Sequence, residues 1–380
     1  MKLLVVSHSC SVPLNQQIYW EIQKQTGWQI TLIVPDRWRD EFGNVLRDDL
    51  WPAFEAEFKS IPVWANGNIA LHIYRHEWKR FLTEGEFDAI YVNHEPYALA
   101  TAQIVWANAR GPRVPIGFYS CQNITKRYPP PFRWLERMVY QNSQFAFPIT
   151  DDVAGVLREK GFRGDITVCP LPLDPSIYRP YSDEELPTMV QRNEKTPMLG
   201  FVGRIVEAKG LRTLARALGQ LRDLDWKFLL VGLGPFLEEF RALLAEQGVS
   251  ERLLEAGFIP HEETPKYLAG LDVLILPSET QPNWKEQFGR VIPEAMACGA
   301  AVVGSDSGEI PKLIRASQGG LVFPERDVKA LADALRQLIA DCRQRRELAD
   351  RGRTWVIQNV ALDQVATQMV GTIRRAVERN

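Results

Sequence analysis

The sequence lacks three things that would have placed it quickly. No apolar run approaches the roughly 20 residues a membrane-crossing helix needs. The chain therefore reads as soluble, or as held at a membrane only by its surface. There is no Cys-x-x-Cys pair: Cys10, Cys121, Cys169, Cys298 and Cys342 are scattered and odd in number. That argues against a disulfide framework or a structural zinc site and for reduced, mostly buried thiols in a cytosolic protein. Charge of one sign is missing too, with 45 basic residues against 47 acidic. A protein that holds nucleic acid by bulk charge would be basic, so no nucleic-acid partner is expected, although a local basic patch remains open. The opening MKLLVVSHSC turns polar after four apolar residues and reads as a buried strand, not a secretory leader. No internal repeat or low-complexity tract is visible.

What is present is length and alternation. The 380 residues exceed the roughly 250–300 at which a single core stops growing, so two domains are expected. Apolar runs at 3–7, 29–34, 88–92, 114–119 and 145–149 read as strands. Helix-length segments at 75–84, 95–109, 132–142 and 151–160 lie between them, the last with Asp151 as a cap candidate. Six prolines between 170 and 197 mark a linker and surface loop. The alternation resumes with strands at 198–202, 226–231, 272–276, 301–303 and 320–323. Helices are expected at 209–221, 235–247, 290–298, 308–315 and 327–340, and residues 343–380 read as wholly helical. Strand–helix alternation in both halves predicts an α/β chain of two doubly wound parallel sheets. Ligands in such sheets sit beyond the carboxyl ends of the strands, so two of them facing each other would make an interdomain cleft.

Two segments carry chemistry. In GFVGRIVEAKG (200–210) an apolar strand ends at Gly203, followed by Arg204 and, five residues on, Lys209. Gly203 allows close approach to the backbone. Arg204 offers a planar fork for phosphate oxygens, and Lys209 a compact charge. The plain alternative is a solvated cation pair in a loop. In EQFGRVIPEAMACG (286–299), Glu286 and Glu294 would stand roughly 80° apart on one continuous helix. We therefore expect Glu286 in a loop and Glu294 in the first turns of a helix, where Pro293 is tolerated. Amides after Phe288 and Gly289 would then form an anion site, and the carboxylates would accept hydroxyl groups. The alternative is a surface Glu and a helix-start Glu. Asp223 and Asp225 precede a buried strand and read as a turn, not a metal site.

Together these segments resemble the family 4 glycosyltransferases of the GT-B fold. FVGRIVEAKG resembles that family's Gly-Arg…Lys-Gly segment, and EQFGRVIPEAMACGAAVVGSDSGEIPKLI its Glu-x7-Glu signature with the strand that follows. VGLGP (231–235) and LDVLILPS (271–278) fall in the expected order, and the likeness covers nearly all of 198–325. The resemblance implies two facing Rossmann-like domains. Residues 1–172 would be on the acceptor side and 173–362 on the nucleotide-sugar donor side, with 363–380 packing back on the first. It implies that Arg204 and Lys209 bind the donor diphosphate, that Glu294 holds ribose hydroxyls, and that Glu286 holds hydroxyls of the transferred sugar. Gly203 and the amides around Phe288, Gly289 and Val291 would touch sugar or phosphate, and the base would lie near Phe258 and Ile259. The reaction would be glycosyl transfer with retention, from a UDP or GDP sugar to a hydroxyl on a carbohydrate or lipid-linked acceptor. No cofactor or obligatory metal is expected. The catalytic set would be Arg204, Lys209, Glu286 and His94, in a cytoplasmic protein or one peripheral at the inner face of a membrane. Oligomeric state is left open.

The N-terminal half departs from the pattern. Many members have a Gly-Gly turn after the first strand; here Pro13, Leu14 and Asn15 must shape that loop. Many have a His after the strand matching 114–119; here the neighbours are Tyr119, Ser120 and Gln122, and no role passes to them from that His. YVNHEPYAL resembles a His-Glu-Pro turn of some members, so His94 or Glu95 would orient the acceptor or take its proton. The alternative is a His closing a strand end. His8 is a weaker acceptor-side candidate. Lys126, Arg127, Arg133 and Arg137 with Phe132 and Trp134 suit either a membrane-surface helix or one whose aromatics face a core. Two other readings stand beside the favoured one. A nicotinamide-dependent enzyme would need Gly-x-Gly-x-x-Gly, which VSHSCSVPL lacks and VGLGPFL half supplies. A silent nucleotide-sugar or glycan-binding protein would keep the donor-side charges without transfer.

Overall fold

A computed structural model describes every residue except 40–44, 46–48, 192, 194 and 195. Three of those residues, 192, 194 and 195, fall within the proline-rich segment read above as a linker. The chain divides into two compact units. Unit 1 is Met1–Pro172 with Leu362–Asn380, and unit 2 is Leu173–Ala361.

Unit 1 runs β1 (Lys2–Val6), α1 (Gln17–Thr26), β2 (Gln29–Pro35), β3 (Glu57–Ile61), β4 (Val63–Trp64) and β5 (Ile73–Tyr74). It continues through α2 (Trp78–Glu84), β6 (Ala89–Val92), α3 (Leu99–Ala109), β7 (Ile116–Ser120), α4 (Pro130–Asn142), β8 (Phe145–Pro148), α5 (Asp151–Glu159) and β9 (Asp165–Ile166). Its sheet is parallel in the order β3-β2-β1-β6-β7-β8-β9. The order reverses between β1 and β6, which brings Ser7–His8 and Asn93–His94 to adjacent carboxyl ends. Central strands such as β1 and β6 are apolar along their whole length because helices cover both faces of a parallel sheet.

Unit 2 runs β10 (Met198–Val202), α6 (Leu211–Gly219), β11 (Lys227–Val231), α7 (Leu237–Glu246), β12 (Leu253–Gly257), α8 (Thr264–Ala269) and β13 (Val273–Leu276). It ends with α9 (Val291–Ala297), β14 (Ala301–Ser305), α10 (Ile310–Ser317), β15 (Gly320–Phe323), α11 (Val328–Ala340) and α12 (Cys342–Asn359). This sheet is also parallel, ordered β12-β11-β10-β13-β14-β15, with its reversal between β10 and β13. A last helix, α13 (Leu362–Glu378), belongs to unit 1. There Val365, Ala366, Met369 and Ile373 share a core with Tyr19, Ile22 and Trp28.

Four local expectations need correction. Residues 343–380 are two helices, broken where Ala361 pairs with Leu173 and the Leu173 amide donates to the Val360 carbonyl at 3.2 Å. The 75–84 helix starts only at Trp78, because Ile73–Tyr74 pairs antiparallel with Val63–Trp64. The cap of α5 is Thr150, whose hydroxyl accepts from the Val153 amide at 3.3 Å. Asp151 and Asp152 instead occupy the first turn, where negative charge suits the helix dipole. The proline-rich segment is not all surface, since Tyr178, Leu186 and Val190 are buried.

Candidate functional site in each sheet

The loop after β10 in unit 2 is shaped by glycine. Gly203 has φ +151°, and its amide donates to the Val231 carbonyl at 3.0 Å. A β-carbon on Gly203 would meet only the Phe201 ring, whereas one on Gly232 would lie 2.0 Å from the Gly203 carbonyl. The close backbone approach at this point is therefore between the loops after β10 and β11. Arg204 follows, exposed. A single 3-10 turn, Glu207–Lys209, then leads to Gly210 at φ +69°. A β-carbon there would sit 1.8 Å from the Pro277 carbonyl. That clearance lets the Glu279 amide donate to the Ala208 carbonyl at 2.8 Å, which joins the loops after β10 and β13 at the sheet's reversal.

Lys209 is held there by Glu286. The ammonium lies 2.6 Å from Glu286 Oε2, and the Ser278 hydroxyl donates to the same oxygen at 2.8 Å. The Trp284 ring lies 5.3 Å from the Lys209 Nζ. Glu286 stands in a loop and Glu294 in the first turn of α9, as their spacing suggests. The Glu286 carbonyl accepts the Glu309 amide at 3.2 Å, which fixes its backbone.

Glu294 is buried and its carboxylate accepts from Arg290 Nε at 2.8 Å. Arg290 also donates through Nη2 to His261 Nε2 at 3.2 Å, and the Tyr178 hydroxyl lies 3.2 Å from that same nitrogen. Arginine only donates, so His261 is neutral with its proton on Nδ1. Burial first, then the Arg290 charge, holds its pKa below the usual value. Burial and then the Glu294 carboxylate push the Tyr178 hydroxyl up. Sequence reading missed Ser278, His261, Arg290 and Tyr178. Only Arg290, four residues before Glu294 on a helix start, left a signal. Phe288 is buried, Gly289 turns at φ +71° before α9, and Val291 opens that helix. Phe258 is largely exposed just past the end of β12, with Ile259 half-buried beside it.

In unit 1 the candidate residues gather at the other reversal. His94 is buried, with its Nδ1 2.6 Å from His8 Nδ1 and its Nε2 3.3 Å from the Tyr74 hydroxyl. Desolvation keeps both imidazoles neutral: His8 falls to about 3, and His94 lies well below the ordinary value. Glu95 is buried and fully engaged. It accepts the Cys121 amide at 2.7 Å and the Ser120 hydroxyl at 2.8 Å, so it clamps the end of β7. Burial raises its pKa. Asn15 spends its side-chain amide on the Ser9 carbonyl at 2.8 Å. Gln122 reaches the Tyr128 hydroxyl at 3.4 Å. The Tyr119 hydroxyl is pushed up by burial. Asn93, unmentioned by the sequence pattern, donates to the hydroxyls of Ser7, Ser9 and Tyr19. On α4, Trp134 faces solvent at 64% exposure with Arg133 and Arg137, so this aromatic does not serve the core.

Residues 182–355 match the family model described as glycosyl transferases group 1. That segment, a little under half of the chain, is similar to this family. Arg204, Lys209, Glu286 and Glu294 lie inside the match, and the unit 1 residues lie outside it. A GDP-mannose-dependent alpha-(1-6)-phosphatidylinositol monomannoside mannosyltransferase of Mycolicibacterium smegmatis is 35% identical over 167 residues, 43% of this chain and 44% of that protein. A 2-deoxystreptamine glucosyltransferase of Streptomyces kanamyceticus is 33% identical over 194 residues, covering 46% and 49%. The chain spans about half the length of these curated relatives. Among solved structures, sucrose-phosphate synthase from Thermosynechococcus elongatus superposes with a TM-score of 0.73 at 19% identity, with 100% of both chains covered. HepE of Anabaena, solved with UDP, gives 0.73 at 18% identity over 99% of this chain and 100% of that one. At such identities the likeness establishes the fold, which is GT-B. No helix among the described residues is long and apolar enough to cross a membrane.

Proposed function

We propose that this protein is a retaining glycosyltransferase. It moves a hexose-type sugar from a UDP or GDP sugar to a hydroxyl of a carbohydrate or lipid-linked acceptor, in glycan, polysaccharide or glycolipid biosynthesis. The observation that carries this reading is the Lys209–Glu286–Ser278 cluster at the strand-order reversal of unit 2, inside the family-matched segment. As the glycosidic bond breaks, negative charge grows on the departing diphosphate. A preorganised cation stabilises that charge more in the transition state than in the bound donor, which is what lowers a barrier. Lys209 meets this need only by trading Glu286 for phosphate. The same exchange releases the Glu286 carboxylate to accept hydroxyls of the transferred sugar. Glu294, oriented by Arg290, takes the ribose hydroxyls. Arg204, exposed at the end of β10, adds the second cation, and Phe258 offers a face to the base. His94 belongs on the acceptor side. The donor step is proposed to run without a divalent metal.

Arg204→Ala tests the assignment, because an exposed side chain can be removed without unfolding the chain. Loss of one transition-state cation predicts a fall in kcat of at least about a hundredfold. Full turnover in that variant would sink the assigned role. The exposed Trp134, Arg133 and Arg137 on α4 support a cytoplasmic protein resting on the inner face of a membrane, where an aromatic and basic face suits anionic lipid. Sedimentation with anionic vesicles should fall on Trp134→Ser. Equal sedimentation by the variant would refute that placement.

A further inference from the structure

Three histidines from distant parts of unit 1 meet at the reversal of its sheet. His8 follows β1, His94 follows β6, and His72 precedes β5 in the hairpin. One ring nitrogen from each lies within 4.8 Å of the others. The ring centroids are 4.7 Å apart for His8–His94, 4.9 Å for His72–His94 and 5.7 Å for His8–His72.

The hydrogen bonds fix what these rings offer. His72 Nδ1 lies 3.1 Å from the carbonyls of both Asn68 and Ile69. Carbonyls only accept, so Nδ1 carries the proton and Nε2 presents a lone pair. That Nε2 is buried and has no hydrogen-bond partner, and the His72 side chain is fully buried. A buried, unmatched acceptor is costly and calls for an occupant. His94 directs Nε2 to the Tyr74 hydroxyl, which leaves its Nδ1 facing His8 Nδ1 at 2.6 Å. Without an ion, one of those two nitrogens must hold a proton between them. An ion would replace that proton and use the third lone pair as well. His72 already donates its other ring N–H to carbonyl oxygens, and His94 has its other ring nitrogen 3.3 Å from the Tyr74 hydroxyl, which can accept from it once Nδ1 binds an ion; such outer support is what ligating histidines require. Trp38 lies 5.1 Å from His8 and 5.0 Å from His72, ring to ring, and gives the cluster an apolar wall.

We propose that His8, His72 and His94 bind one divalent first-row transition ion, zinc by preference, through one ring nitrogen each, with a fourth position left open. Imidazole ligands select zinc, copper, nickel or iron over magnesium and calcium. Tetrahedral ligands at 2.0–2.1 Å stand about 3.3 Å apart. The 2.6 Å His8–His94 spacing and the 4.8 Å bound on the set bracket that value, so binding requires only that the His8–His94 pair open slightly and the three nitrogens converge on one point. Burial keeps all three rings in the neutral, ligating form. The ion would tie the β4–β5 hairpin to the ends of β1 and β6. This departs from the sequence expectation of no metal. It does not depend on the proposed donor chemistry in unit 2.

The test uses the full chain, stripped with chelator, desalted and titrated with Zn²⁺ or Co²⁺ alone. Bound metal is counted by mass spectrometry after gel filtration. The expected result is about one ion per chain, with affinity reduced more than about tenfold in both His72→Gln and His94→Gln. The cobalt form should show the intense visible bands of a tetrahedral site without a thiolate charge-transfer band. Wild-type protein that retains less than about a tenth of an ion per chain overturns the proposal, since a three-imidazole site holds zinc through gel filtration. Unchanged binding in the two folded variants overturns it also. Should a variant fail to fold, the wild-type cobalt spectrum decides: a thiolate band or octahedral spectrum overturns the assignment.

Discussion

Removing the Lys209 ammonium while keeping its length, as in Lys209→Met, takes away a cation 2.6 Å from Glu286 Oε2. The side chains are 18% and 10% exposed, so neither charge is well solvated. At that separation the attraction is about 6 kcal/mol at an effective dielectric near 20 and about 1.6 kcal/mol in water. Desolvation offsets much of the larger figure, and loss of one partner from a buried pair typically costs about 3–5 kcal/mol. With the residual exposure here, the low end applies: Lys209→Met should lose about 3 kcal/mol, read by urea unfolding. Glu286→Gln should cost a similar amount. The double variant should recover most of it, because neither charge of the pair then remains. A coupling energy of about 2 kcal/mol from the four proteins is expected. Sugar transfer should stay abolished in the double variant, which separates the chemical role from the structural one. A coupling under about 0.5 kcal/mol would refute the reasoning, since it would mean that the pair is solvated and contributes nothing.

Gly210→Ala places a β-carbon 1.8 Å from the Pro277 carbonyl at φ +69°. A loss of at least about 2 kcal/mol is expected, and an unchanged melting temperature would contradict the loop geometry. His261 has a folded pKa below its ordinary 6.5, from burial and the Arg290 charge. Above pH 6.5 it is neutral in both states and contributes nothing to pH dependence. As pH falls below that value the unfolded chain takes the proton and the folded chain resists it, so stability declines. His261→Gln keeps an acceptor for Arg290 and should flatten the acid side of the stability profile relative to wild type. Parallel profiles would contradict the assigned hydrogen bonds.

The legible parts of the sequence were those where one local run does one job. Fully buried strands such as LLVV and VLIL announce themselves because both faces are covered. Edge or half-buried strands do not: β3 (EFKSI) and β12 (LLEAG) carry charged residues among their apolar ones and gave no clear signal. The break at Val360–Ala361 has neither proline nor glycine. It exists because Ala361 pairs with Leu173, far away in sequence. The Arg204…Lys209 and Glu286…Glu294 segments were readable as donor-site candidates because each is short. Their mutual contact through Lys209 and Glu286 was not, because 77 residues separate them. His72 was invisible for the same reason, since a lone histidine before a two-residue strand has no pattern.

The central claim is sugar transfer with retention from a nucleotide sugar. Its most direct test is to incubate the protein with UDP- and GDP-hexoses and a panel of carbohydrate and lipid-linked acceptors. Released nucleotide is measured, and the anomeric configuration of the product is read by NMR. The account predicts release from one nucleotide class, with the donor's anomeric configuration kept in the product. Inversion, or donor binding with no transfer or hydrolysis across the whole panel, would contradict it.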